Sequence, residues 1–351
     1  MNPVCLPGRG LACALGLDMA GSLETLRTGG VVPAQALLPG EMGGAFPYFS
    51  IPHPHQDWNV RARELIQRVA DEAGIGQMHG GALFIATSSF DIGGVEQGAA
   101  QMGYDAFSEK VANWLSWKGP VYLINTACTS GLNALLAAHA LLTSGDEQEA
   151  LVLGVELENH LTLGGFAALQ LLSRSIAKPF GLNRDGLVLG EAVAALRLST
   201  RESAVWRMSG GANVVDGSQP TGASIDAVAD MYRQTLAAAG PGSIDLIKVQ
   251  AAGSPGNDAV EAQGLRETFQ PVPPLVSLKA ALGHTMGASG VAEIALLSAC
   301  LEHDVWPQYA DETDSELGVC LATRMPQDVR RFLATILGFG GSHASVVLER
   351  T

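Results

Sequence analysis

The sequence predicts a layered α/β fold made of two halves that repeat one order of elements. Three observations carry this expectation. Short apolar runs end in small or polar residues, helical periodicity fills the spans between them, and the same order returns from about residue 204. Hydrophobic residues make up 47% of the 351, charged residues 16%, and there are 42 glycines, so a large core of small, closely packed side chains is available. Residues 1–203 are read as the first half and residues 204–351 as the second.

An opening strand and turn over residues 3–16 leads to a short helix over 21–28. The Pro- and Gly-rich stretch 29–55 has no strong periodicity and reads as a loop or small cap. Residues 61–73 follow as an amphipathic helix, with apolar side chains at 62, 65, 66, 69 and 70. Residues 82–87, 121–125 and 151–155 are short apolar runs of the kind buried on both faces of a sheet. A helix over 130–143 links the last two, which gives a parallel strand-helix-strand unit. One strand or a pair over 186–198 closes the first half.

The second half reads as a strand (204–215), a helix (225–239), a strand (246–250) and a helix (258–269). A strand (275–277), a long helix (289–303) and two closing strands (331–337 and 343–349) complete it. No residue-level repeat accompanies the recurrence, so the duplication rests on element order.

A net charge of −14 without a long basic run argues against nucleic acid or an anionic membrane surface as the main partner. The five cysteines, at 5, 13, 128, 300 and 320, have no zinc-like spacing, and their odd number without an export leader fits a reducing cytosol. No metal site is expected. The longest apolar runs reach about half of the roughly 20 residues a membrane span needs.

Four clusters carry chemistry. The first is the turn Asn125-Thr-Ala-Cys128-Thr-Ser-Gly131, which sets a thiol between a strand and the N-terminus of a helix. A helix N-terminus favours a thiolate and offers N–H groups to an oxyanion. The second, Ser277-Leu-Lys279-Ala-Ala-Leu-Gly-His284-Thr-Met-Gly-Ala-Ser-Gly290-Val-Ala-Glu293, places one histidine and one lysine among glycines. The third, Leu337-Gly-Phe339-Gly340-Gly-Ser-His343, is a glycine-rich turn whose bare N–H groups can serve an oxyanion, or which is an ordinary hairpin. The fourth, Lys178 to Glu191, reads as an ion-pair network holding a turn rather than as catalysts.

Together and in this order the four clusters resemble the β-ketoacyl-ACP synthases of the thiolase-like condensing-enzyme superfamily, over essentially the whole chain. The resemblance implies a five-layer αβαβα fold, a dimer, acyl thioester chemistry with carrier-borne phosphopantetheine substrates, and no metal or organic cofactor. It implies that Cys128 is the acylated nucleophile, with an oxyanion hole made by the N–H groups of Cys128 and Phe339. It makes His284 the second active-site histidine, with Lys279 tuning its electrostatics and Glu293 pairing with that lysine. Phe339 becomes the aromatic gate, supported by Gly340.

One motif departs from the family. Elongating synthases carry a first histidine in His-Gly-Thr-x-Thr-x-x-Asn-Asp, whereas residues 250–258 here keep a glycine, Asn257 and Asp258 but no histidine. Gln250, Ala251 or Ala252 takes its place, according to the alignment. Losing one catalytic donor costs about two to three orders of magnitude, so condensation by this chain alone is expected to be weak. His343, where the family commonly has Asn, is weighed as a replacement.

The leading expectation is therefore a chain-length-factor-like subunit of a fatty acid or polyketide system, an aryl polyene pathway among them, acting beside a complete ketosynthase. That implies a heterodimer, with a homodimer as the alternative, in the cytoplasm and served by an acyl carrier protein. Two further readings are a Cys-His acyltransferase or thioesterase, and a self-sufficient condensing enzyme with a substituted donor. The carrier is acidic, and Arg61, Arg63 and Arg68 are the candidates for docking it, against an ordinary role as solvated helix charges.

Overall fold

The computed structural model describes residues 3–40, 43–100, 103–310 and 312–351. In the first half the chain runs β1 (Val4–Cys13), α1 (Met19–Arg27), β2 (Ala34–Leu38), β3 (Gly44–Phe49), α2 (Trp58–Glu72), β4 (Ala82–Ala86) and α3 (Ile92–Glu96). It continues through α4 (Tyr104–Trp114), β5 (Val121–Ile124), α5 (Ser130–Ser144), β6 (Glu149–Glu156), α6 (His160–Ala168), β7 (Leu189–Gly190) and β8 (Ala192–Ser199). The second half has β9 (Trp206–Val215), α7 (Ile225–Ala239), β10 (Leu246–Lys248), α8 (Pro255–Thr268) and β11 (Leu275–Val276). It ends with α9 (Lys279–Leu282), α10 (Ser289–His303), β12 (Arg331–Leu337) and β13 (Ser342–Arg350).

The duplication that no residue repeat betrays is plain in the strand order. One set of five runs β5-β4-β6-β8-β1 and the other β11-β10-β12-β13-β9. Numbered within its own half, each is 3-2-4-5-1. The directions match as well: β4 is parallel to β5 and β6, and β8 is antiparallel to β6 and β1. Likewise β10 is parallel to β11 and β12, and β13 is antiparallel to β12 and β9. The two sets meet where Val4 pairs with Met208 and Cys5 with Arg207.

Alternation along the strands sorts side chains into layers. Phe84 and Val152 join Phe332, Ala334 and Ile336 of the other half in a central core against α5 and α10. Leu83, Ile85, Leu151 and Leu153 point the opposite way onto α2 and α4. In the second half Ile247, Leu333 and Val347 point outward onto α7 and α8. The result is the five-layer αβαβα arrangement. Its central helix α10 is buried at every position from Ser289 to Leu301, as a helix covered on all sides requires. On α2 the expected stripe at 62, 65, 66, 69 and 70 is the buried face.

Stretch 29–55 differs from the expected loop. β2 and β3 form an antiparallel pair, and β3 runs parallel to β7, making a separate three-stranded sheet. Its strands are short, one contains Pro47, and the partners of β3 on β7 lie 141 residues away, so local periodicity carries no trace of it. The expected pair over 186–198 splits between this sheet, through β7, and the main one, through β8. Helices α3, α4 and α6 are additions to the sequence reading; on α4 only Phe107 and Val111 are buried.

Candidate active site

β5 ends in a tight turn before α5. Ala127 holds φ at 53°, a strained left-handed value for a residue with a Cβ, and Cys128 follows it. Ser130 fixes the turn, its Oγ accepting from the Thr126 N–H at 2.9 Å and donating to the Ala127 carbonyl at 2.6 Å. Thr129 Oγ1 adds a bond to the Thr126 carbonyl at 2.7 Å. Cys128 is thereby presented just ahead of the helix, 4% exposed.

Two glycines bring the opposite wall close. A Cβ on Gly290 of α10 would lie 2.6 Å from the Leu132 nitrogen, and one on Gly131 of α5 would lie 3.1 Å from the Gly290 nitrogen. Only bare backbones can cross at this spacing, and the crossing places His284 against Cys128. The His284 N–H donates to the Val188 carbonyl at 2.7 Å, and its carbonyl accepts from Gly190 at 3.1 Å. Its Nε2 then lies 3.2 Å from Cys128 Sγ.

The hydrogen bonds on the far side of the ring set its tautomer. The Met286 backbone N–H, which can only donate, points at Nδ1 from 3.2 Å, with Lys279 Nζ at 3.3 Å and Ser289 Oγ at 3.2 Å. Nδ1 is therefore an acceptor, and the proton of the neutral ring sits on Nε2, facing the sulfur. In this form His284 is a hydrogen-bond donor to the sulfur or to a thioester oxygen, not a base for the thiol. Burial, and after it the charges of Lys279 and Lys248, hold the His284 pKa well below its usual value.

Behind His284, Lys279 binds one oxygen of Glu293, the pair the resemblance implied, and Lys248 binds the other at 2.5 Å. All three are buried. Burial works to raise the Glu293 carboxyl, but the two ammonium groups outweigh it and leave its pKa below the ordinary value.

The helix N-terminus does not make Cys128 a thiolate. Burial pushes its thiol up to about 11. Lys279 and the backbone N–H groups of Phe339 and Cys128 pull the other way, and Glu156 adds to the rise. Those two N–H groups, both directed at the sulfur, are the pair expected to form an oxyanion hole. Glu156 accepts hydrogen bonds from the Ser88 N–H and hydroxyl, the Ser89 hydroxyl and the Gly287 N–H.

Phe339 is half-buried on the turn between β12 and β13, its ring stacked on Phe166 of α6 with centroids 5.3 Å apart. Gly340 and Gly341 both hold φ at 75°, and a Cβ on Gly341 would strike the Asp216 carbonyl. The Gly340 N–H is spent on the Pro220 carbonyl at 2.8 Å, so Gly340 shapes the turn and leaves the oxyanion to its neighbours.

Gln250 and Ala252 line the void beside Cys128, together with His284, Asp258 and Phe339, whereas Ala251 does not. Glu261, three residues beyond Asp258 on the same face of α8, accepts from the Gln250 and Ala251 N–H groups, each at 2.7 Å. Asp258 accepts from Ala252 and Gly253. Burial raises Glu261 to about 7 and Asp258 to about 6. The void itself holds about 20 Å³, room for roughly one water and no acyl chain.

Three expectations need correction or fall away. Arg61 is not a free docking charge, because its guanidinium is locked in a two-pronged pair with buried Glu191 at 2.5 and 2.6 Å and donates to the Ile51 carbonyl. Arg68 is exposed but paired with Asp18 at 3.0 Å, and Arg63 is exposed on α2. His343 lies fully buried on β13 between Leu337 and Val214 and does not line the void. The 178–191 cluster does hold a turn: Arg184 pairs with Asp314 at 2.6 Å and Lys178 with Asp185 at 3.5 Å. Lys248, Glu156 and Glu261 escaped sequence reading; the spacing of Asp258 and Glu261 on one helix face was the only local signal.

A thiol and an imidazole at the centre of a duplicated five-layer fold define a condensing-enzyme architecture. The chain belongs to the β-ketoacyl synthase family: its N-terminal domain pattern matches residues 74–204 and its C-terminal domain pattern residues 206–311. Among curated relatives it is 31% identical over 271 residues to a mycocerosic acid synthase-like polyketide synthase of Mycolicibacterium smegmatis, covering 69% of this chain and 13% of that one. It is 27% identical over 262 residues to 3-oxoacyl-[acyl-carrier-protein] synthase 2 of Coxiella burnetii, covering 66% of this chain and 62% of that one. Among solved structures, a ketosynthase in complex with its chain length factor from Xenorhabdus doucetiae superposes with a TM-score of 0.86 at 22% identity, covering 100% of this chain and 98% of that one. The ishigamide ketosynthase/chain length factor gives 0.85 at 21% identity, covering 100% and 99%. At these identities the structural likeness establishes the fold.

Proposed function

We propose that this chain is a chain-length-factor-like subunit of fatty acid or polyketide chain elongation, paired with a complete ketosynthase and served by an acyl carrier protein in the cytoplasm. The observation that carries the reading is that residues 250–258 contain no histidine. Decarboxylation of a malonyl thioester builds negative charge on an enolate oxygen, and the family meets it with two imidazoles. Here, among the described residues lining the void, His284 is the one imidazole. The small void supports the same reading, since an acyl chain would need Phe339 or its neighbours to move. Solved relatives that are ketosynthases with their chain length factors add support from fold.

Cys128 favours a second reading. The thiol is retained, with two N–H groups directed at it, which suits acyl loading without decarboxylation. Of the acyl-transfer readings, hydrolysis is the weaker, because His284 in its Nε2–H form has no free nitrogen facing the sulfur to take a proton from water.

The test is elongation of acyl carrier protein thioesters with malonyl carrier protein, by the chain alone and with a candidate ketosynthase. The reading expects negligible product alone, and ketosynthase activity that collapses when this chain is withheld. Elongation by the chain alone at ordinary ketosynthase rates refutes it. Acylation of Cys128 without elongation, in either mixture, supports the transferase. Gln250→His or Ala252→His, at the two candidate positions that line the void, should raise malonyl decarboxylation by about two orders of magnitude if a second donor is what the site lacks.

A further inference from the structure

Lys248 stands at the end of β10, two residues before Gln250 and outside every motif that the resemblance rests on. It is 1% exposed. Its ammonium reaches Glu293 Oε2 at 2.5 Å and donates to the Thr335 carbonyl at 2.7 Å. Lys279 takes the other oxygen of the same carboxylate and also lies 3.3 Å from His284 Nδ1. Two ammonium groups against one carboxylate give this cluster one more positive than negative charge in a site that excludes water, where charges act strongly on one another; burial lowers the Lys248 pKa and Glu293 pulls it back up.

That charge lies behind the Nδ1 edge of His284, while Cys128 lies beyond Nε2. The other titratable groups near the pair are Glu156 from β6 and Asp258 and Glu261 from α8. Each accepts from backbone or hydroxyl donors rather than from either lysine, so none pairs directly with the excess charge, and Glu261 acts on Lys248 only through space. With Lys279 and Glu293 alone the cluster would be neutral, and a second ring proton, at Nδ1, would meet the Met286 N–H, a hydroxyl and a balanced ion pair. With Lys248 added, an imidazolium would face a second cation.

We infer that Lys248 is a positioning residue for the Cys128–His284 pair: by occupying one Glu293 oxygen it leaves excess positive charge behind His284, which keeps the imidazole neutral with its proton on Nε2. The Met286 N–H sets the tautomer, and the second lysine keeps the ring from becoming an imidazolium, so it stays a neutral hydrogen-bond donor toward the sulfur over the whole neutral range. The inference rests on geometry and stands whether or not the chain works beside a ketosynthase. The depressed His284 value agrees with it, Lys248 acting after burial and Lys279.

The test follows the His284 side chain by ¹⁵N NMR from pH 5 to 8 in the full chain, with its signal identified by loss in His284→Ala. Lys248→Gln keeps N–H donors for Glu293 and Thr335 but removes the charge, and Lys248→Arg keeps the charge. In the wild type the ring should stay neutral with Nδ1 unprotonated throughout. In Lys248→Gln its protonation constant should rise by about tenfold or more, read as a shift of the His284 signal at the acid end of the range, while Lys248→Arg stays like the wild type. A lysine that merely holds the fold would lower thermal stability without moving His284. A folded Lys248→Gln whose His284 behaves as in the wild type overturns the inference. So does a wild-type His284 that titrates near its ordinary value, and this measurement decides the matter if Lys248→Gln does not fold.

Discussion

Glu293→Gln isolates the electrostatics of the buried cluster, because the two side chains are nearly the same size and no cavity opens. Both carboxylate oxygens are occupied, one by Lys279 and one by Lys248, and all three residues are at most 1% exposed. Breaking one buried ion pair by deleting a partner costs about 3–5 kcal/mol. Here one deletion strands two ammonium groups. The folded variant can escape by releasing protons. At pH 7 each release costs about 4–5 kcal/mol relative to a free lysine, which puts a ceiling of about 9 kcal/mol on the loss. The expected loss is about 5 kcal/mol.

The pH dependence has a definite sign. Lysines that are neutral in the folded variant and charged when unfolded bind fewer protons when folded, so stability rises with pH. The deficit should shrink by about 1.4 kcal/mol per pH unit for each released proton between pH 7 and 9. In the wild type the Glu293 value is depressed, so its contribution is present above the ordinary carboxylate pKa and is lost as pH falls through the folded value. Urea unfolding followed by tryptophan fluorescence at pH 7 and pH 9 measures both quantities. A deficit under about 2 kcal/mol at pH 7, or one that does not change with pH, refutes the reasoning.

Other outcomes follow from the same geometry. Iodoacetamide should alkylate Cys128 slowly at pH 7.4 and progressively faster toward its value of about 11, as followed by peptide mass spectrometry, with exposed Cys320 as the fast internal reference; a midpoint below pH 8 contradicts the buried, protonated thiol. Arg61→Ala strands fully buried Glu191 and should cost about 3–5 kcal/mol in urea unfolding, whereas Arg63→Ala, on the exposed face of α2, should stay within about 0.5 kcal/mol. Gly290→Ala drives a methyl toward the Leu132 backbone and should cost about 1–3 kcal/mol in thermal unfolding, with an altered Cys128 alkylation rate because the α5–α10 crossing must open. An unchanged melting temperature and alkylation rate would mean the crossing has slack.

Residues that act through their immediate neighbours were readable in the chain itself. Cys128, His284 and Phe339 each sit in a glycine- or small-residue turn between periodic segments, so strand, turn and helix could be placed without partners. The stripe on α2 and the mostly apolar α10 were equally plain, because period and composition record burial directly. The residues that escaped act across long gaps in sequence. Lys248 reaches Glu293, 45 residues on, and Arg61 reaches Glu191, 130 residues on. Arg61 read as a solvated helix charge because nothing near it reveals a buried carboxylate. The β2-β3-β7 sheet was hidden for the same reason, its hydrogen bonds joining short segments far apart.

By itself, then, the sequence determined the α/β halves, the thiol at a helix N-terminus, the histidine among glycines, and the lack of a histidine in residues 250–258. Tertiary structure decided what those groups are chemically. It buried Cys128 and kept it protonated, put the His284 proton on Nε2, and set a second ammonium behind that ring. Local periodicity encodes which face of an element is buried, but a protonation state depends on the charges and donors that folding gathers from distant parts of the chain.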